Sequence, residues 1–141
     1  TEDTGMRVEQ VDKRTRKVET AREDENLEPR EFGDPDAETL VLSWGSNEGP
    51  MTEAIGMLDA EGVDVRFLSV PYLLPRADLS EAVEAAETVV VVECNATGQF
   101  ADIVEHDTLT RVDRINKYDG VRFDADELAA EIEATVQEAT Q

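Results

Sequence analysis

The residues best placed for chemistry follow an apolar run in the middle of the chain. The segment TVVVVECNATGQF, residues 88–100, carries Glu93, Asn95, Gly98 and Gln99 directly after four consecutive valines. A strand that is apolar on both faces lies inside a sheet covered on both sides, so its polar end opens into a crevice where open α/β folds bind ligands or partners. The structural alternative is that Asn95 caps the next helix and Gly98 supplies a turn conformation.

A second candidate is the loop GSNEGP, which follows the apolar run TLVLSW. Gly45, Ser46 and Asn47 could offer backbone N–H groups to a phosphate at the start of a helix. Glu48 opposes an anion there, however, and the loop lacks the lysine and the spacing of a P-loop. A contact with another domain is the favoured interpretation.

The remaining reactive residue types have ordinary structural explanations. His106 is the only histidine, so with Asp102 and Asp107 it is expected to be a surface or helix-end residue and not a catalytic or metal site. Cys94 adjoins the buried strand, where a small apolar filler is expected. We therefore predict no catalytic residue and no metal ligand in these 141 residues.

Basic residues are scarce in the core region, and four of them lie close together in sequence. Pairing with local carboxylates is the favoured role for this group, and recognition of a cofactor phosphate is the alternative. The group consists of Arg111, Arg114, Lys117 and Arg122.

The elements that must position these residues alternate between strand and helix. Strands are predicted at 39–44, 63–70, 88–93 and 109–115. One helix is predicted to begin at Pro50 and another to span 98–105. Two more helices are predicted to begin at capping boxes, one formed by Asp78 and Glu81 and the other by Asp124 and Glu127. Short links between strands and helices indicate a largely parallel sheet with helices on both faces. We predict a three-layer α/β/α domain.

Residues 1–36 differ from the rest of the chain. A thin apolar stripe among many basic residues predicts an exposed or docking helix over 4–23. The stretch 26–38 contains Pro29, Gly33 and Pro35, which predicts a connector with one short extended piece near Phe32. We expect a helical linker and connector over 1–36 and the α/β domain over 37–141.

The charge balance excludes several classes of partner. The chain carries 34 acidic and 13 basic residues, a net charge of -21, and only three of the basic residues are lysines. Nucleic acid and anionic membranes would be repelled. An acidic surface spread along the chain predicts adaptation to high salt, where screening removes self-repulsion. The alternative is an acidic protein that binds a basic partner.

The chain offers no signal for secretion or for a membrane. It contains one cysteine, no charged start followed by an apolar region, and no apolar run near the length of about 20 residues that spans a bilayer. These features predict a cytoplasmic protein. The sequence begins at Thr1 with an irregular charged stretch, and we expect it to be part of a longer chain.

Several segments carry a family resemblance in a consistent order. WGSNEG, PYLLPRAD, VVVVECNATGQFADIV and INKYDGVRF resemble the C-terminal region of the α subunit of 2-oxoacid:ferredoxin oxidoreductases of the 2-oxoglutarate or pyruvate type. RVEQVDKRTRKVE resembles the helical link that leads into that region. The high acidity suggests a halophilic archaeon as the source.

The resemblance implies a transketolase C-terminal-like domain with a five-stranded, mostly parallel sheet and one antiparallel edge strand. It implies a parent complex that decarboxylates a 2-oxoacid oxidatively to acyl-CoA and CO2 and reduces ferredoxin. That complex would use thiamine diphosphate, Mg²⁺, an iron-sulfur cluster and coenzyme A, with the thiamine-binding β subunit as partner.

Within such a complex, this region is expected to be inactive alone and to bind none of these cofactors, since it has no cysteine quartet and no GDG-type magnesium motif. Its candidate residues would line an interdomain cleft or contact coenzyme A: Gly45, Ser46, Asn47, Glu93, Asn95, Gly98 and Gln99. The alternative function is an independent acidic module that binds a nucleotide or a basic protein.

Overall fold

The computed structural model describes residues 3–23 and 27–139. Its helices are α1 (Thr4–Arg22), α2 (Glu48–Ala60), α3 (Ser80–Ala85), α4 (Gln99–Thr108) and α5 (Ala125–Ala139). Its strands are β1 (Arg30–Gly33), β2 (Thr39–Trp44), β3 (Arg66–Val70), β4 (Thr88–Glu93) and β5 (Asp113–Asn116), and a 3₁₀ turn, Gly45–Asn47, joins β2 to α2.

The five strands form one sheet in the order β1-β3-β2-β4-β5. β2, β3, β4 and β5 are parallel, and β1 pairs antiparallel with β3 at one edge. The predicted three-layer α/β fold is confirmed, and the extended piece near Phe32 forms its antiparallel edge strand. This edge strand precedes residue 37, so the connector contributes to the sheet.

The core consists of two apolar clusters, one on each face of the sheet. Val41, Val90 and Val92 face α2 and α5, whereas Leu40, Val89 and Val91 face α3 and α4. This alternation along β2 and β4 explains the continuous apolar runs, because both faces of the central strands are covered.

Two strands begin later than the sequence pattern predicted. Val63 donates its backbone N–H to Leu58 and so completes the end of α2, and β3 starts only at Arg66. β5 was expected over 109–115 but spans Asp113–Asn116, because Leu109 takes a left-handed conformation and the N–H of Val112 bonds to the side chain of Glu105 instead of a strand.

The helix starts also differ from their predicted capping boxes. Asp78 accepts the N–H of Ser80, two residues ahead, so it forms a turn and no capping box with Glu81. Asp124 does accept the N–H of Glu127 at 2.8 Å, whereas the carboxylate of Glu127 pairs with Lys117. Ala139, which was expected on the inner face of α5, is exposed because it lies in the last turn.

The helix α1 has no buried residue, although Asp3 caps its start as an N-cap acceptor. Within residues 3–23 and 27–139, no helix is long and apolar enough to cross a bilayer.

Candidate functional site

The carboxyl ends of the parallel strands bring the two predicted loops together. β2 and β4 are adjacent and in register, so residues 45–47 after β2 lie beside residues 94–98 after β4. The side chains confirm this contact, since the Sγ of Cys94 lies 3.2 Å from Oδ1 of Asn47. The candidate residues from both loops therefore occupy one edge of the sheet.

A buried hydrogen-bond chain links β4 to the first loop. The hydroxyl of Ser43 donates to the carbonyl of Val92 at 2.7 Å, and Nδ2 of Asn47 donates to the oxygen of Ser43 at 3.1 Å. Asn47 is only 5% exposed, so its amide is a structural connection and not a free ligand-binding group. Ser43 was not among the residues that the sequence predicted for this site, although it is a single polar residue near the end of an apolar strand.

Glu93 is fully buried, and its carboxylate caps the N-terminus of α4. Both of its oxygens accept the backbone N–H of Phe100, at 3.2 and 2.8 Å. A helix begins with unpaired N–H groups and a partial positive charge, which together attract anions. Because Glu93 already supplies a carboxylate there, a phosphate would have to compete with it.

Asn95 and Gly98 shape the turn between β4 and α4. Oδ1 of Asn95 accepts the N–H groups of Thr97 at 3.1 Å and Gly98 at 2.7 Å, so it orders the turn ahead of α4. Gly98 has φ of 68°, in the left-handed region that favours glycine, and a Cβ there would lie 2.9 Å from Nη1 of Arg114. Gln99, the first residue of α4, is exposed.

The first loop exposes its other two candidates. Gly45 has φ of 73°, and Gly45 and Ser46 are both exposed between the end of β2 and the buried Asn47. Glu48 pairs with Arg30 of β1 at 2.6 Å, so its negative charge lies at the beginning of α2. The sequence predicted that Glu48 opposes an anion at this loop, but the ion pair with Arg30 offsets its charge.

Two of the four basic residues from the core group pair with local carboxylates. Arg114 binds Asp102 at 2.8 Å and Glu105 at 2.6 Å, and Lys117 binds Glu127. Two hydrogen bonds lower the pKa of Glu105. The larger effect comes from the backbone N–H of Val112 and the smaller from the side chain of Arg114. Arg111 and Arg122 are exposed.

The side chains of Asp102, His106 and Asp107 are all exposed on α4. His106 is largely exposed and lies against Asp107, which also binds Arg76. No group of three or more metal-ligating side chains occurs in the parts of the chain that are described. Cys94, predicted to be a buried filler, is exposed instead, because its strand ends at Glu93.

No family model matches the chain. Among curated proteins, subunit alpha of 2-oxoacid:ferredoxin oxidoreductase 1 from Aeropyrum pernix is 35% identical over 113 residues, which are 76% of this chain and 18% of that protein. The 2-oxoglutarate oxidoreductase subunit KorA of Mycobacterium tuberculosis is 37% identical over 109 residues, 75% of this chain and 16% of that subunit.

The homologues of this chain are 2-oxoacid:ferredoxin oxidoreductase α subunits. The chain spans less than a fifth of the length of these two α subunits.

Solved structures show the same fold. The 2-oxoglutarate:ferredoxin oxidoreductase from Magnetococcus marinus, with 2-oxoglutarate, coenzyme A and succinyl-CoA bound, matches 77% of this chain and 20% of its own, with a TM-score of 0.68 and 23% identity. The alpha chain of a probable 2-oxoacid ferredoxin oxidoreductase from Thermoplasma acidophilum matches 79% of this chain and 98% of its own, with a TM-score of 0.55 and 24% identity.

Proposed function

We propose that this chain is the C-terminal, non-catalytic part of a 2-oxoacid:ferredoxin oxidoreductase α subunit. Identities of 35% and 37% to curated α subunits over about three quarters of the chain carry the proposal. The parent complex would convert a 2-oxoacid and coenzyme A to acyl-CoA and CO2 while reducing ferredoxin. A thiamine-binding β subunit and the rest of the α subunit would be its partners.

The residues of this chain do not fit the cofactors that such a complex needs. An iron-sulfur cluster is commonly held by four cysteine thiolates, whereas the sequence has one cysteine. The described residues contain no group of three or more His, Cys, Asp or Glu side chains that could hold a metal ion. Thiamine diphosphate, Mg²⁺ and the cluster are therefore assigned to other domains or to the β subunit.

The sheet edge described above supports a role in shaping a contact. Its buried polar groups bind one another, as Asn47 does with Ser43 and Glu93 does with Phe100. We propose that Gly45, Ser46, Asn47, Glu93, Asn95, Gly98 and Gln99 form an interdomain cleft. Glu93 argues against a nucleotide phosphate at α4, and coenzyme A could reach this cleft only by contacts that avoid that helix start.

We also propose a domain division and a source for this chain. The parallel strands β2 to β5 all lie within 37–141, which we take as a transketolase C-terminal-like domain preceded by the linker and connector of 1–36. The net charge of -21 supports a halophilic archaeal source. We also propose a cytoplasmic location, which the single cysteine predicts.

The test uses the intact polypeptide that contains these residues. We expect it to co-purify with a second, thiamine-binding subunit and to reduce ferredoxin when a 2-oxoacid and coenzyme A are both present. Omitting coenzyme A is the matched control and should abolish acyl-CoA formation. If the purified polypeptide has neither the second subunit nor this activity, the proposal is wrong.

A further inference from the structure

The exposed aromatic residues of this chain are concentrated at one edge of the sheet. Its single tryptophan and both tyrosines follow the carboxyl ends of parallel strands: Trp44 ends β2, Tyr72 follows β3 and Tyr118 follows β5. They are 37%, 54% and 71% exposed. By contrast, three of the four phenylalanines, Phe67, Phe100 and Phe123, are buried in the core.

Exposed aliphatic residues and the thiol extend the same surface. Leu74 and Val121, which lie in the connections after β3 and β5, are 71% and 64% exposed, and Cys94 is exposed after β4. We call this set the carboxyl-edge surface: Trp44, Tyr72, Leu74, Cys94, Tyr118 and Val121. Monomeric proteins rarely leave apolar groups together in this way unless they form a contact.

The connections at this edge are also neutral in an otherwise acidic molecule. The segments 44–47, 71–79, 94–98 and 117–124 contain three acidic and three basic residues. At the opposite edge, the segments 34–38, 61–65, 86–87 and 109–112 contain six acidic residues and one basic residue. Protein interfaces show the same pattern, since their buried centres are depleted of charge and enriched in aromatic residues.

Hydrogen bonds within the loops after β2, β4 and β5 order part of this surface, which lowers the entropy cost of binding. Asn95 binds two N–H groups of its turn, and Oδ1 of Asp119 accepts the N–H of Val121 at 2.9 Å. The hydrogen bond from the thiol of Cys94 to Asn47 joins the loops after β2 and β4. A partner would therefore meet loops after β2, β4 and β5 that are already arranged.

We propose that the carboxyl-edge surface docks an uncharged, apolar face of the remaining part of the α subunit. This inference rests on the proposed function, because the homologous α subunits are more than five times as long as the region matched here. Neutrality of the surface excludes a basic partner as its natural complement. A second copy is disfavoured, because each copy carries a charge of -21 and would repel the other.

Thiol footprinting tests the proposal, because Cys94 is the only cysteine of these residues and lies within the surface. N-ethylmaleimide labelling of the Cys94 peptide would be followed by mass spectrometry in the 141-residue chain alone and in the intact oxidoreductase. We expect labelling to be at least ten times slower in the intact protein. A Glu61→Cys variant, with its thiol at the opposite edge, should label at similar rates in both.

Equal labelling of Cys94 in both samples would overturn the proposal, while the reduction of ferredoxin tests the proposed function separately. Protection in the chain alone that increases with its concentration would assign the surface to a second copy and also overturn it. As a second measurement, Tyr118→Lys should reduce recovery of the assembled oxidoreductase at least five-fold. Leu109→Lys, a change at an exposed apolar residue of the opposite edge, should leave recovery unchanged.

Discussion

Glu93 organises the centre of the candidate site from a fully buried position. Its carboxylate satisfies the N–H of Phe100, and its own carbonyl accepts the N–H of Lys117. A buried donor that loses its acceptor costs about 1–3 kcal/mol, so the side chain is needed for stability whether or not a ligand approaches. This single residue thereby joins β4, α4 and the end of β5.

We predict that Glu93→Met destabilises the chain by about 2 kcal/mol, because the N–H of Phe100 loses its acceptor while the buried volume changes little. Glu93→Gln keeps an acceptor and should lose less than half as much. Denaturant unfolding of both variants gives the two values. Equal losses would show that burial of the side chain, and not its hydrogen bond, determines the effect.

Gly98 and Gly120 separate backbone strain from side-chain crowding. Both have positive φ, at 68° and 85°, but only a Cβ at residue 98 meets neighbours, Nη1 of Arg114 and Nδ2 of Asn116. We predict that Gly120→Ala costs about 1 kcal/mol from strain and that Gly98→Ala costs more, because Arg114 must shift. Equal unfolding free energies for the two variants would contradict this account.

At the scale of elements, Arg114 and Glu105 fix α4 to β5. Glu105 of α4 accepts the N–H of Val112 at 3.0 Å, and its other oxygen binds Arg114 of β5. These bonds replace strand pairing over 109–112 and explain why β5 is shorter than its alternating sequence predicted. The link therefore depends on an ionised carboxylate.

The pH dependence of stability should report this link. The pKa of Glu105 is lowered by the N–H of Val112 and by Arg114, so its contribution is present above the ordinary pKa and is lost as the pH falls through the folded-state value. We predict that Glu105→Gln loses about 1 kcal/mol at pH 7 and that the difference from the natural chain closes below about pH 4. Thermal unfolding between pH 3 and 7 measures it, with Glu84→Gln as an exposed control; a difference independent of pH would contradict the link.

For the whole molecule, the net charge of -21 is the dominant electrostatic feature. Self-repulsion destabilises a compact acidic chain at low salt, and the screening length falls to about 3 Å at 1 M salt. The basic residues are already counted in this value, so ion pairs such as Arg114 with Asp102 do not reduce it further. Stability should therefore depend strongly on salt.

We predict that the melting temperature rises steadily as KCl increases from about 0.1 M to about 3 M, because screening relieves repulsion. A variant with Glu53, Glu84 and Glu131 changed to glutamine should melt higher at low salt and show a smaller rise. Differential scanning calorimetry provides both curves. A melting temperature that does not change with salt would contradict the proposed adaptation to high salt.

The sequence by itself determined the alternation of elements, the parallel sheet and the loops that meet at its carboxyl edge. Continuous apolar runs such as β4 can be satisfied only between two covered faces, and the polar residues after them must then lie at the strand ends. Order along the chain also carried the family resemblance, which the α-subunit homologues support.

Tertiary structure alone decided which side chains are free. Cys94 is exposed, the carboxylate of Glu93 accepts the N–H of Phe100, and the amide of Asn47 donates to Ser43. These contacts depend on the path of the turns after β2 and β4, which leaves no periodic signal in the sequence. The same holds for the carboxyl-edge surface. Its aromatic residues are scattered along the chain, and only the parallel arrangement of β2, β3 and β5 places them on one edge.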